Sequence, residues 1–146
     1  MKQLHEHTAW YGSASLLLNL WEEGLASYVS FFLNPKANYA ELMLDLPENL
    51  PERTWRDRTF LTSDLARHLE SEDGAVYRKY FRPWTNDERV PGRAGCFLGF
   101  VVISELAKQI SLSKLLLPES EDWLLERVKT QLLQIPNLPD AAYPSS

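Results

Sequence analysis

Apolar residues recur at intervals of three and four along most of this chain, and proline or glycine interrupts the pattern where a helix would stop. The densest run extends from Ala14 to Leu33 and contains no proline. It holds Leu16, Leu17, Leu18, Leu20, Trp21 and Leu25, too many apolar positions for a surface helix, and predicts a mostly buried one. Ser13 is the expected N-cap, and Asn34-Pro35 ends the helix because a residue before proline is pushed out of the α region. A second helix is predicted over Lys36–Leu46, with Tyr39, Leu42, Met43 and Leu46 on one face and Pro47 as its stop. Glu48 to Asp57 reads as an ordered loop with at most one short turn. Thr62 or Ser63 is expected to cap a helix running to about Glu70. Glu72-Asp73-Gly74 makes a turn, and Ala75–Phe81 forms a short helix. After a turn-rich loop from Pro83 to Gly92, a helix is predicted from Arg93 to Gln109. Ser111 or Ser113 starts a short turn of helix to Leu117, and Ser120 caps a last helix to about Leu133.

No segment reads convincingly as a strand. Val101, Val102 and Ile103 are β-branched, but the apolar spacing of three and four continues past them to Leu106. The expectation is an all-α protein, a compact bundle of about six or seven helices. Its single domain covers residues 13–135, between a polar segment 1–12 and a proline-rich tail 136–146 that is expected to fray.

Composition narrows the function classes. The 146 residues carry 15 Lys plus Arg against 20 Asp plus Glu, a net charge of −5, which argues against nucleic acid as the main partner. Cys96 is the single cysteine, so neither an intrachain disulfide framework nor a multi-cysteine zinc site is available. No apolar run approaches the length of a membrane span, and Met1 to His7 lacks the layout of a signal peptide. The chain as given is therefore expected to be cytoplasmic, or to be a piece cut from something larger.

Three features bear on chemistry. Glu22 and Glu23 interrupt an apolar helix, and a carboxylate placed there is expensive unless it is solvated, paired or bound to metal. Their bland assignment is one solvated and one at a boundary, paired to an arginine such as Arg93; the sharper one is a metal ligand or general base. Gly24, beside them, disfavours helix by about 1 kcal/mol and suggests a close packing contact or a nearby ligand. His5-Glu6-His7 offers two imidazoles, short of the three protein ligands zinc normally takes; His68 is the one remaining histidine. Gly95 and Gly99, one turn apart, are expected to form a shallow groove that another helix backbone approaches. Cys96, between them, reads as a small buried hydrophobe.

Glu23-Gly24-Leu25-Ala26, preceded by Trp21 and followed by Tyr28, resembles the Glu-Gly-x-Ala signature of gluzincin-type zinc metallopeptidases. More narrowly, the chain resembles predicted zinc-dependent proteases of the DUF2268 type. Pro91-Gly92-Arg93-Ala94-Gly95-Cys96-Phe97-Leu98-Gly99-Phe100 looks like the Pro-x-Arg-x-Gly-Tyr-x-x-Gly-Tyr helix start of that family, with Cys96 and Phe100 where tyrosines are common. The resemblance implies the C-terminal helical subdomain of a zincin, with Glu23 as third zinc ligand. It also implies Glu22 as a neighbour, Arg93 as a supporting partner, Tyr28 as a packing or hydrogen-bonding residue, and Gly95 and Gly99 as the place where the later helix crosses. The chain departs from the family in having no His-Glu-x-x-His. His5-Glu6-His7-Thr8-Ala9 begins that pattern, with Ala9 where the second histidine would stand. Either the chain begins after the catalytic helix, or it is a homologue that kept the scaffold and lost the metal.

Three functions follow as expectations. The first is the helical part of a zinc peptidase, inactive as an isolated chain, with zinc weak or absent and Glu23, His5 and His7 as its available ligands. The second is a non-catalytic helical domain derived from a metallopeptidase, which binds another protein or peptide. The third is an all-α domain unrelated to peptidases, in which Glu22 and Glu23 both face solvent. A missing half would leave apolar surface for a second copy or a partner chain to cover.

Overall fold

The structure, a computed structural model, describes residues 14–140. Among these the chain is all-helical, with seven α-helices and no strand. The first, α1 (Leu16–Leu33), is capped by Ser15, whose side chain accepts from the Leu18 N–H at 3.3 Å. The predicted cap, Ser13, lies outside the described residues. Two N–H groups of the first turn, which have no partner within a helix, donate to loop carbonyls: Leu16 to Ser71 and Leu17 to Leu69, both at 2.8 Å. The first half of α1 is buried almost all round, while its second half has one inner face. The helix ends at Asn34, before Pro35, as predicted.

The chain between α1 and the next helix differs from expectation. Residues 36–46 do not form a helix. Asn38 and Glu41 bond reciprocally, Glu41 N–H to Asn38 Oδ1 at 2.8 Å and Asn38 N–H to Glu41 Oε1 at 3.2 Å, which starts a single turn. Met43, at φ 60°, then stops it. Leu44 N–H bonds back to Tyr39 O and Met43 N–H to Ala40 O, the paired bonds of a left-handed helix stop. The segment read as a loop, 48–57, instead contains α2 (Leu50–Arg56), with Pro51 in its first turn, where a missing N–H is harmless.

Helix α3 (Arg58–Arg67) follows after Asp57, starting earlier than its predicted Thr62 or Ser63 cap. Asp73 caps α4 (Gly74–Phe81), its side chain accepting from Ala75 N–H. Then come α5 (Ala94–Leu106), the short α6 (Leu112–Leu116) capped by Ser111, and α7 (Glu121–Gln134) capped by Ser120. A 3-10 turn at Ile135–Asn137 continues from α7. In the first part of the proline-rich tail, the Arg58 guanidinium donates to Leu138 O and pairs with Asp140 at 3.0 Å; residues 141–146, like 1–13, lie outside the described residues.

Every residue from Ala94 to Ile103 is buried, so α5 is the central helix. It packs against α1, α2, α4 and α7, and the α1–α5 pair is the most extensive in the fold. That pair carries both of the sequence segments singled out above.

Candidate functional site

Glu23 lies midway along α1, where the helix crosses α5. The crossing is made by glycine on both sides. A Cβ at Gly24 would meet only backbone, lying 2.8 Å from Gly99 Cα and closer still to the Gly99 carbonyl. A Cβ at Gly99 would stand 2.7 Å from Leu20 O and 3.1 Å from Gly24 Cα. The propensity penalty of Gly24 is thus explained by close packing. Gly95 does something different from what its spacing suggested. It does not share a groove with Gly99 but faces the end of α4, where a Cβ would press on the Phe81 ring at 2.8 Å and on Tyr80 O at 2.9 Å. Two glycines one turn apart on α5 therefore admit two different helices.

Glu22 and Glu23 are both exposed. This is the placement expected of an all-α domain unrelated to peptidases; it also leaves a carboxylate on a rigid helix open to a ligand. The Cys96 thiol donates weakly toward Glu23 Oε2 at 4.0 Å, across the crossing. Burial pushes that thiol up to about 11; the Arg93 charge pulls it down and the Glu23 charge raises it, so it stays protonated at neutral pH.

Arg93 does not pair with either glutamate in the way its charge suggested. It sits at φ 61°, in the left-handed region, just before α5. Its guanidinium donates to Met43 O at 2.9 Å and Leu46 O at 2.8 Å. It thus holds the turn after α1 against the start of α5, a structural task. Tyr28 packs with Phe31 and Phe32, and Phe31 meets Phe100 edge-on at 5.9 Å. His5 and His7 lie outside the described residues. Among the described residues no three His, Cys, Asp or Glu side chains stand together as metal ligands.

One polar cluster escaped the reading of the sequence. Asp64 of α3 is buried and receives the Tyr80 hydroxyl at 2.5 Å, Lys79 Nζ at 3.0 Å and the Arg67 guanidinium at 3.1 Å. Burial alone would raise its carboxyl. The hydrogen bonds from Tyr80 and Lys79, with the charges of Lys79 and His68, outweigh burial and hold it below the ordinary value. Tyr80 is pushed far up, by burial first and then by bonding to that carboxylate. With both oxygens engaged, Asp64 clamps α3 to α4 and is a poor candidate for a base. Arg67 and His68, three and four residues on, were the signal available in sequence; Tyr80, across a turn, gave none.

No protein family, curated protein or solved structure matches the chain.

Proposed function

We propose that the chain is a metallopeptidase-like helical domain, the part of a gluzincin-type zinc peptidase that carries the third ligand, with Glu23 as that ligand. One observation supports this reading, although the exposure of both Glu22 and Glu23 is also what an unrelated all-α domain would show. The two segments that resemble the family, around Glu23-Gly24 and around Gly95–Gly99, lie 75 residues apart from Gly24 to Gly99 and touch backbone to backbone. A glutamate on a helix immobilised by such a crossing has the rigidity a metal ligand needs. The described residues fit zinc only in part, because they contribute one carboxylate. The imidazoles would be those of His5 and His7, or of a second chain. No catalytic step is assigned, since the chain has no His-Glu-x-x-His to supply a general base.

The test is calorimetric zinc titration of the full chain. Weak binding of one zinc per chain is expected, weakened at least a further tenfold by Glu23→Ala and unchanged by Glu22→Ala. No binding, or equal binding by the Glu23→Ala variant, removes Glu23 as a ligand. The isolated chain is expected not to hydrolyse casein; chelator-sensitive hydrolysis would refute that part.

A second reading, a non-catalytic domain that binds another protein, draws on Phe32, Leu33, Met43 and Leu46, all large, apolar and exposed, Leu33 at 76%. Sedimentation equilibrium showing a monomer at every concentration would remove a second copy of this chain as the partner.

A further inference from the structure

Ala75, Arg78, Lys79 and Arg82 follow at spacings of three, one and three, which puts them on one side of α4 and its C-cap. Three cations thus line one face in a protein whose net charge is −5. Lys79 is engaged by Asp64. Neither Arg78 nor Arg82 forms an ion pair among the described residues, and their like charges at i and i+4 repel. The chain then folds back over this face. Arg93 N–H bonds to Arg82 O at 2.8 Å, and Gly92 lets the backbone at Pro83 approach closely.

The loop so formed is built rather than loose. Thr85 Oγ1 accepts from Asp87 N–H at 3.1 Å. Asp87, the one acid facing the hollow among the described residues, is held by Arg89 at 3.1 and 2.9 Å through its two oxygens. Its charge is largely answered there, leaving the arginines opposite in excess. Between α4 and the loop lies a hollow of about 350 Å³, with Trp84 on its wall. Trp84 is 74% exposed, an unfavourable position for a large ring. Uncompensated guanidinium groups select a phosphate or similar anion, and an open indole selects a flat ring to stack on it. Thr85 and Asn86 add neutral hydrogen-bonding groups. The volume is at the low end of small-molecule sites, roughly 300–1,000 Å³.

We propose that this hollow binds a mononucleotide, with Arg78 and Arg82 on the phosphate and Trp84 stacked on the base. The site shares no residue with the Glu23 crossing and goes beyond the function proposed above. It is tested on the full chain by calorimetry with AMP, ADP, adenosine and inorganic phosphate. Saturable one-to-one binding of AMP or ADP is expected. The Arg78→Ala, Arg82→Ala double variant should weaken it at least tenfold, and Trp84→Ala about tenfold. Lys129→Ala, which removes a positive charge from α7 outside the hollow, should leave it alone, and circular dichroism should show each variant folded. Absence of saturable nucleotide binding overturns the proposal, as does equal weakening by Lys129→Ala. Inorganic phosphate binding as tightly as AMP, with no effect of Trp84→Ala, overturns the nucleotide in favour of a bare anion.

Discussion

Gly24→Ala adds one methyl group at the place where α1 and α5 touch. Its nearest neighbours would all be Gly99 backbone, with Cα at 2.8 Å against an ordinary contact of 3.4–4 Å. No side chain is there to swing away, so one helix must move by at least 0.6 Å, the difference between 3.4 and 2.8. α5 is buried along that whole stretch and cannot yield without disturbing its other neighbours. Overpacking of this kind costs roughly 1–3 kcal/mol, and backbone against backbone belongs at the upper end. Replacing a mid-helix glycine by alanine returns about 1 kcal/mol. The net expectation is a loss of about 2 kcal/mol, or about 4–8 °C in Tm for a domain of this size. Urea and thermal unfolding followed by circular dichroism measure it. Gly74→Ala is the control, because the atom its Cβ would meet is the mobile end of Arg78 at 3.1 Å; that variant should be neutral or slightly stabilised. A Gly24→Ala protein as stable as the parent would refute the close crossing and, with it, the support it gives to Glu23 as a held ligand.

Two further outcomes follow from the buried polar groups. Tyr80→Phe should lower stability at neutral pH by about 1.5–3 kcal/mol, the range for a hydrogen bond to a charged group. Because the Asp64 carboxyl is held below 3.8 when folded, its contribution is complete above that value and disappears as pH falls through the folded-state pKa. Tyr80→Phe should therefore move the acid-unfolding midpoint up in pH, and an unchanged midpoint would count against the clamp. Cys96, pushed to about 11 from an ordinary 9.0, should be alkylated by iodoacetamide at pH 8 roughly a hundredfold more slowly in the folded chain than in urea. Equal rates by mass spectrometry would show that the thiol is neither buried nor raised.

Local pattern carried most of the fold. The dense run of α1, the Ser120 cap of α7 and the turn before α4 were all readable, since each depends on neighbours within a few residues. The missed helix boundaries of most consequence lie between residues 36 and 57. Tyr39, Leu42 and Leu46 do keep helical spacing, but the turn that the Asn38–Glu41 pair starts is stopped at once by the left-handed Met43. Arg93 completes that stop from 50 residues away, which no local window contains. The crossing at Gly24 was foreseen in kind, and its partner, Gly99, could be named because it lay in the second motif. Gly95 was misassigned because spacing along one helix does not say which neighbour each position meets. Pairing of Asp64 with Tyr80 and Lys79 depends on how α4 turns back on α3, and sequence spacing has no access to it.

The order in which the chain is synthesised gives the α1–α5 crossing a consequence in the cell. Leu16, Leu17, Leu20 and Trp21 leave the ribosome well before the helix that covers them. Gly99 follows Gly24 by 75 residues, or about 4–15 s at typical elongation rates. During that interval α1 is a sticky amphiphile without its partner, and no earlier helix makes up for α5. The nascent chain is thus exposed to chaperones and to self-association until α5 has been made and can pack on α1.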